Sequence, residues 1–285
     1  MIELFKAIVL GAVQGITEFL PVSSTGHLIL FEKLLNISQE TYGLTFDAAL
    51  HLGTLLAVLW FFKNEWIKLI FVIPNGVRNL AKRPTWSEIP QDDKLFLLLF
   101  IGTIPAVLFG LLLEDAVNTV FRSPILVAAA LILFSFVLIY VEVASRKIKL
   151  IPQLKLLDGL IIGTAQAIAL IPGVSRSGIT IAAGLKRGLT REQAARFAFL
   201  LSAPIIAGAG GKKLLHLIEL ATSGQLTFNQ QLFFVAGILS SAVFGYLTIK
   251  YFLKFISQHT LWPFIVYRIV LGLFIIILSL SGLTG

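Results

Sequence analysis

The sequence runs to 285 residues, of which 57% are hydrophobic and only 13% charged, against roughly 25% charged in an ordinary soluble domain. Such an apolar excess excludes a water-soluble globular fold and asks for lipid around the chain. The formal charge of +8 does not point to nucleic acid, because Lys and Arg sit mostly in short segments between apolar runs, where topology accounts for them; anionic lipid or an anionic substrate is a secondary use.

From the N-terminus, Glu3, Gln14 and Glu18 interrupt the first apolar run and no small-residue cleavage pattern follows Lys6, so this segment is read as part of the fold rather than as a leader. Residues 3–36 form two short apolar helices joined by the turn PVSSTGH at 21–27. They are too short and too interrupted for two ordinary spans, and the pattern predicts a re-entrant hairpin. Spans are then expected at 45–62, 95–113 and 123–141, approaching the about 20 apolar residues that cross a hydrocarbon core. A second hairpin at 155–190 surrounds the turn PGVSRSG at 172–178, and further spans follow at 194–211, 231–249 and 264–283. The absence of cysteine excludes a disulfide framework and thiolate chemistry.

The two hairpins resemble each other. Gly11, Gln14 and Ile16 match Gly163, Gln166 and Ile168, and Pro21, Val22, Ser23 and Gly26 match Pro172, Val174, Ser175 and Gly178. The second copy is one residue shorter before its proline and carries Gly173 as an insertion after it. Gly102, Phe109 and Gly110 likewise match Gly237, Phe244 and Gly245 at one constant offset. The expected fold is therefore an all-α integral membrane protein of two inverted-topology repeats, residues 1–150 and 151–285. Each repeat is a re-entrant helical hairpin followed by three transmembrane helices, all in one membrane domain. Placing 63–94 in the cytoplasm puts Lys63, Lys68, Arg78, Lys82, Arg83 and Lys94 inside and Glu114 and Asp115 outside. Inversion then brings Arg146, Lys147, Lys149, Lys186, Arg187, Arg191, Lys250 and Lys254 inside, with Lys212 and Lys213 as exceptions.

Broken helices in inverted repeats bring non-helical backbone together where protein or a water-filled cavity surrounds it. The two turns are thus the expected functional site. In the second, Gly173 and Gly178 allow close backbone approach, Ser175 and Ser177 supply hydroxyls, and Arg176 supplies a cationic fork beside a helix N-terminus, a set suited to phosphate. Snorkelling of Arg176 to an interface is the alternative, although arginine at membrane depth costs roughly 2.5–3.5 kcal/mol and seldom lacks a partner. In the first turn Ser23, Ser24, Thr25 and His27 gather, and Gln14 and Glu18, four apart, share the helical face leading into it. Glu18 is read as a divalent-cation ligand or proton-transfer group, against a cap or an ion pair to Arg176; hard oxygens favour Mg²⁺ or Ca²⁺. His27 is a candidate proton shuttle and Ser24 a candidate nucleophile, or a hydroxyl that satisfies the helix start. Asp47 and His51, also four apart on one helical face, are a weaker candidate pair supporting the site, against a span-end cap as the more ordinary reading, and Arg268 in the last span is expected on a carboxylate or carbonyl. Trp60, Lys63, Trp66 and Trp262 read as interfacial anchors.

QGITEFLPVSSTGH and PGVSRSG, with FDAALHLGTLLAV, GTIPAVLFG and the late YRI at 267–269, resemble the undecaprenyl-diphosphate phosphatases associated with bacitracin resistance, and the likeness runs the length of the chain. It implies hydrolysis of undecaprenyl diphosphate to undecaprenyl phosphate and inorganic phosphate in the bacterial inner membrane, recycling a lipid carrier for peptidoglycan synthesis. It also implies a divalent cation, a polyprenyl diphosphate and membrane lipids as partners, and a site open to the periplasm. By this likeness Arg176 holds the diphosphate, Glu18 binds metal or moves a proton, His27 is acid or base, and Ser24 or water attacks. Gln14 fills the first position of the family's [EQ]xxxE pattern with an amide, which removes one carboxylate ligand. The rival reading is a transporter or lipid flippase, which shares this architecture; a purely structural membrane protein comes third. Oligomeric state, a homodimer included, is left open.

Overall fold

The computed structural model describes residues 2–37, 43–80, 85–112 and 123–281. Among them are eleven α-helices: α1 Ile2–Phe19, α2 Ser24–Leu34, α3 Gly43–Phe61, α4 Lys63–Leu80, α5 Gln91–Leu112, α6 Pro124–Ala144, α7 Leu156–Ile168, α8 Arg176–Lys186, α9 Arg191–Thr222, α10 Phe228–Gln258 and α11 Trp262–Leu280. No strand occurs in the described residues, only an isolated bridge between Lys149 and Leu189. Five helices, α5, α6, α9, α10 and α11, are long and apolar enough to cross a membrane. A sixth crossing results if the pair Thr45–Phe61 and Lys63–Val72, bent by 82°, is one broken span. The chain is an all-α, multi-pass membrane protein, as helices that satisfy their own backbone in lipid must be.

Several boundaries differ from the sequence expectation. The stretch 63–94, assigned to a cytoplasmic segment, contains α4. Its charged residues Lys63, Glu65 and Lys68 alternate with Trp66, Ile67, Leu69 and Ile70, so no window is uniformly apolar although a helical face is. Helices α9 and α10 have 32 and 31 residues and overrun the expected spans, because polar helical turns continue past the apolar window. Of the charges used for orientation, Lys82, Arg83, Glu114 and Asp115 lie outside the described residues, as do the side chains of Arg78 and Lys212. Others serve ion pairs: Arg187 Nε reaches Asp158 Oδ1 at 2.5 Å, and Arg191 holds the buried Glu142.

Packing is driven by small residues where backbones approach, as expected where lipid removes the hydrophobic advantage of burying leucine. Helix α1 lies on α10, and a Cβ added at Gly11 would sit 2.5 Å from Gly237 O. Helix α7 lies on α5 through Gly163 against the backbone of Gly102. Thus α1 and α7 each pack, glycine to glycine, on a long apolar helix distant in sequence, α10 and α5 respectively. Between them Phe19, Phe62, Phe197 and Phe199 are almost fully buried, with Phe19 edge-on to Phe199 at 5.2 Å. This core stands beneath the two turns.

Candidate active site

Each hairpin breaks at its Pro/Ser/Gly turn, between Phe19 and Ser24 and between Ile168 and Arg176. Both turns pass through a serine of positive φ, 70° at Ser23 and 74° at Ser175, a region that costs a side-chain-bearing residue about 1–3 kcal/mol and recurs at functional sites. Gly173 adopts φ 94° with its backbone against Val127 O, a conformation and a closeness that only glycine meets.

The buried Arg268, 0% exposed, ties the turns together. Its Nη1 donates to Pro21 O at 3.2 Å, and its Nη2 to Gly173 O and Val174 O at 3.2 and 3.1 Å. Nη2 also reaches Leu131 O, and Nε reaches Ser135 Oγ. Of the two partner types expected for this arginine, carbonyls are found. Ser177 Oγ adds a cross-link to Leu20 O at 2.9 Å.

Where the turns meet, a polar cavity of about 150 Å³ opens, far above the about 10–15 Å³ that one water needs. The first half lines it with Glu18, Ser23, Ser24, Thr25 and His51, the second with Pro172, Gly173, Ser175 and Arg176. Glu18, 6% exposed, is its hub. One carboxylate oxygen is held by Arg176 Nη2. The other accepts from Ser24 Oγ at 2.5 Å and from Gln14 Nε2 at 2.9 Å and faces His51 Nε2 at 3.5 Å. Arg176 also points Nη1 at Ser202 O, 3.5 Å away. The ion pair and the cation site, alternatives for Glu18 in the sequence, involve the same carboxylate.

His51 was legible only as a neighbour of Asp47. Its Nδ1 meets the Asp47 backbone carbonyl at 2.8 Å; a carbonyl only accepts, so Nδ1 carries the proton and Nε2 is presented to Glu18. The signal was absent because residues 18 and 51 come together only when α3 packs beside α1. His27, by contrast, lies behind the turn: its ring contacts Ser23 O and Tyr267 Oη, both at 2.7 Å, and does not line the cavity. Ser177 also points away, into the link to Leu20. Gln166 is buried like its sequence counterpart Gln14, but no acid occurs between it and Pro172, where the first copy has Glu18. Only one half therefore supplies the acid.

A carboxylate, a hydroxyl hydrogen-bonded to it and a guanidinium across one small cavity can activate a nucleophile while neutralising charge on phosphoryl oxygens. Residues 7–274 match the model of the bacitracin resistance protein BacA family. The chain belongs to this family. Among similar proteins, the undecaprenyl-diphosphatase of Rubrobacter xylanophilus is 46% identical over 272 residues, covering 95% of this chain and 97% of that protein. Those of Desulforudis audaxviator and Thermodesulfovibrio yellowstonii are 43% and 42% identical, with 97% and 98% of this chain covered and 98% of each relative.

For a divalent cation, the cavity offers the Glu18 carboxylate and Ser24 Oγ, and one helical turn before Glu18 lies Gln14 Oε1, a buried acceptor with no hydrogen-bond partner. These hard oxygens fit Mg²⁺ or Ca²⁺ supplemented by diphosphate oxygens. No group of three or more His, Cys, Asp or Glu able to hold a metal exists among the described residues, so the protein alone offers only part of a coordination shell.

Proposed function

We propose that this chain hydrolyses undecaprenyl diphosphate to undecaprenyl phosphate and inorganic phosphate, with Ser24 as nucleophile, Glu18 as its base and Arg176 as the phosphate clamp. The observation that carries the reading is the single carboxylate of Glu18, bonded at one oxygen to Ser24 and at the other to Arg176. In the first step Ser24 Oγ attacks the terminal phosphorus, its proton passes to Glu18 Oε2, and the bond from that phosphorus to the bridging oxygen breaks. Undecaprenyl phosphate departs. After Glu18 has released that proton to solvent, water attacks the phosphoseryl phosphorus and gives a proton to Glu18, the bond from phosphorus to Ser24 Oγ breaks, Oγ takes the proton from Glu18, and inorganic phosphate leaves. Arg176 and the first-turn N–H groups of α8 face the charge that gathers on the phosphoryl oxygens.

Glu18 and Gln14 would hold a divalent cation, which would supply further neutralisation of that charge when bound. The His51 ring, 3.5 Å from the same carboxylate oxygen, walls that side of the cavity. The prenyl tail stays in the lipid phase along the apolar faces of the spans. The groove of Leu56, Leu59, Trp60, Val243 and Leu247 between α3 and α10 starts five residues beyond His51 on the same helix, about 7.5 Å along its axis.

The two-repeat organisation, 1–150 and 151–285, belongs to this reading. The exchanged glycine contacts and the paired serine conformations support it. A bacterial inner-membrane location follows from the substrate class. Relatives named as diphosphatases favour hydrolysis over transport.

The test is phosphate release from undecaprenyl diphosphate by detergent-purified protein, with and without chelator, for wild type and Arg176→Ala. Turnover that disappears in a folded Arg176→Ala protein supports the assignment. A folded wild type that releases no phosphate with Mg²⁺ or Ca²⁺ supplied overturns it.

A further inference from the structure

The two strained serines share a backbone, φ 70° and ψ 103° at Ser23 and φ 74° and ψ 111° at Ser175, but are held by different means. At Ser175 the hold is local: Oγ accepts the Gly178 N–H at 3.2 Å, and the carbonyl accepts the Ile179 N–H at 2.9 Å. Ser23 makes no side-chain cap. Its carbonyl accepts the imidazole Nδ1–H of His27 at 2.7 Å, from the residue that corresponds in the repeat to Ile179. With the proton on Nδ1, Nε2 has a lone pair, and the Tyr267 hydroxyl donates to it at 2.7 Å. Both ring nitrogens are spent inside the protein, the side chain is 6% exposed, and the ring faces away from the cavity that holds Glu18 and Arg176.

We infer that His27 is a positioning residue and that Tyr267 sets its tautomer: the imidazole clamps the Ser23 carbonyl and so holds the turn that presents Ser24 Oγ to Glu18. No proton of the reaction passes through the ring. Tyr267 adjoins Arg268, so one turn of α11 fixes the first turn twice, at Pro21 O and, through His27, at Ser23 O. The inference rests on the proposed roles of Ser24 and Glu18.

The experiment compares His27→Asn, His27→Gln and His27→Ala with wild type for phosphate release over a range of pH and substrate concentration, with thermal unfolding to establish folding. Asparagine places an amide N–H near the position of Nδ1 but cannot carry a proton at neutral pH. His27→Ala is expected to lose about 100-fold in kcat, the upper end for a supporting residue, at little changed KM, and His27→Asn to recover to within about tenfold of wild type. Tyr267→Phe, which removes only the hydroxyl, is expected to lower kcat about tenfold and leave the shape of the kcat–pH profile as in wild type. A folded His27→Asn no more active than His27→Ala overturns the inference, as does loss of a limb of that profile in His27→Asn or Tyr267→Phe. If asparagine does not fold, the Tyr267→Phe profile decides alone. An inactive wild type overturns the hydrolase reading instead, so the two failures are distinct.

Discussion

Replacing Glu18 by alanine leaves the Arg176 guanidinium inside the bundle without its carboxylate. Removing one partner of a buried ion pair costs about 3–5 kcal/mol. The Arg176 side chain is 17% exposed, toward a cavity that admits water, so about 3 kcal/mol is the apt figure. Gln14, fully buried, loses the acceptor of its amide N–H as well, adding about 1 kcal/mol. The sum, about 4 kcal/mol, corresponds to a fall of roughly 8–16 °C in melting temperature at about 2–4 °C per kcal/mol for a chain of this size. The assay is thermal unfolding in detergent followed by tryptophan fluorescence. The double variant Glu18→Ala/Arg176→Met, which removes the stranded charge, should regain most of the 3 kcal/mol while staying inactive. A single variant that melts with or above the double one refutes the argument that this pair, rather than water in the cavity, compensates Arg176.

Ser24→Ala separates nucleophile from bystander: with Ser24 attacking, kcat falls about 10,000-fold or more in the manner of a nucleophilic serine, whereas attack by water leaves most of the turnover, and single-turnover phosphate release reads the difference. His51→Ala removes a ring that lines the cavity 3.5 Å from the Glu18 carboxylate and should lower kcat/KM about tenfold in a protein that still melts near wild type. Gly15→Ala puts a Cβ 2.7 Å from both Gly245 N and Ser241 O, forcing α1 off α10 at about 1–3 kcal/mol and displacing Glu18; melting and turnover should fall together. Gly110→Ala meets nothing within 4 Å and should raise stability by about 0.5–1 kcal/mol through helix propensity alone, measured by the same unfolding assay.

The parts legible in the sequence are those encoded over short distances. The crossings show as apolar runs, and Glu18, Ser24 and Arg176 show because their turns concentrate chemistry that a lipid-embedded helix would otherwise exclude. Missed features depend on what packs against what. His51 joins the cavity from a third helix, and Tyr267 reaches His27 across 240 positions of chain. His27 was read as a shuttle because it is adjacent to the serines in sequence, but adjacency does not say on which side of a strained turn a ring emerges. Helix α4 was missed for a related reason: hydropathy averages over a window, whereas an amphipathic helix keeps its apolar side chains on one face. Arg187 and Arg191 looked like topology signals until Asp158 and Glu142 appeared beside them.

The dependence of both turns on Arg268 also bears on how the enzyme is made. A chain entering the bilayer N-terminus first has both hairpins synthesised long before residue 268 leaves the ribosome. Until α11 inserts, Pro21 O, Gly173 O and Val174 O lack the guanidinium that gathers them, and the two turns are joined only by Ser177 on Leu20 O and by Arg176 on Glu18. The full bracing of both turns thus arrives in one late step, the insertion of the last described helix.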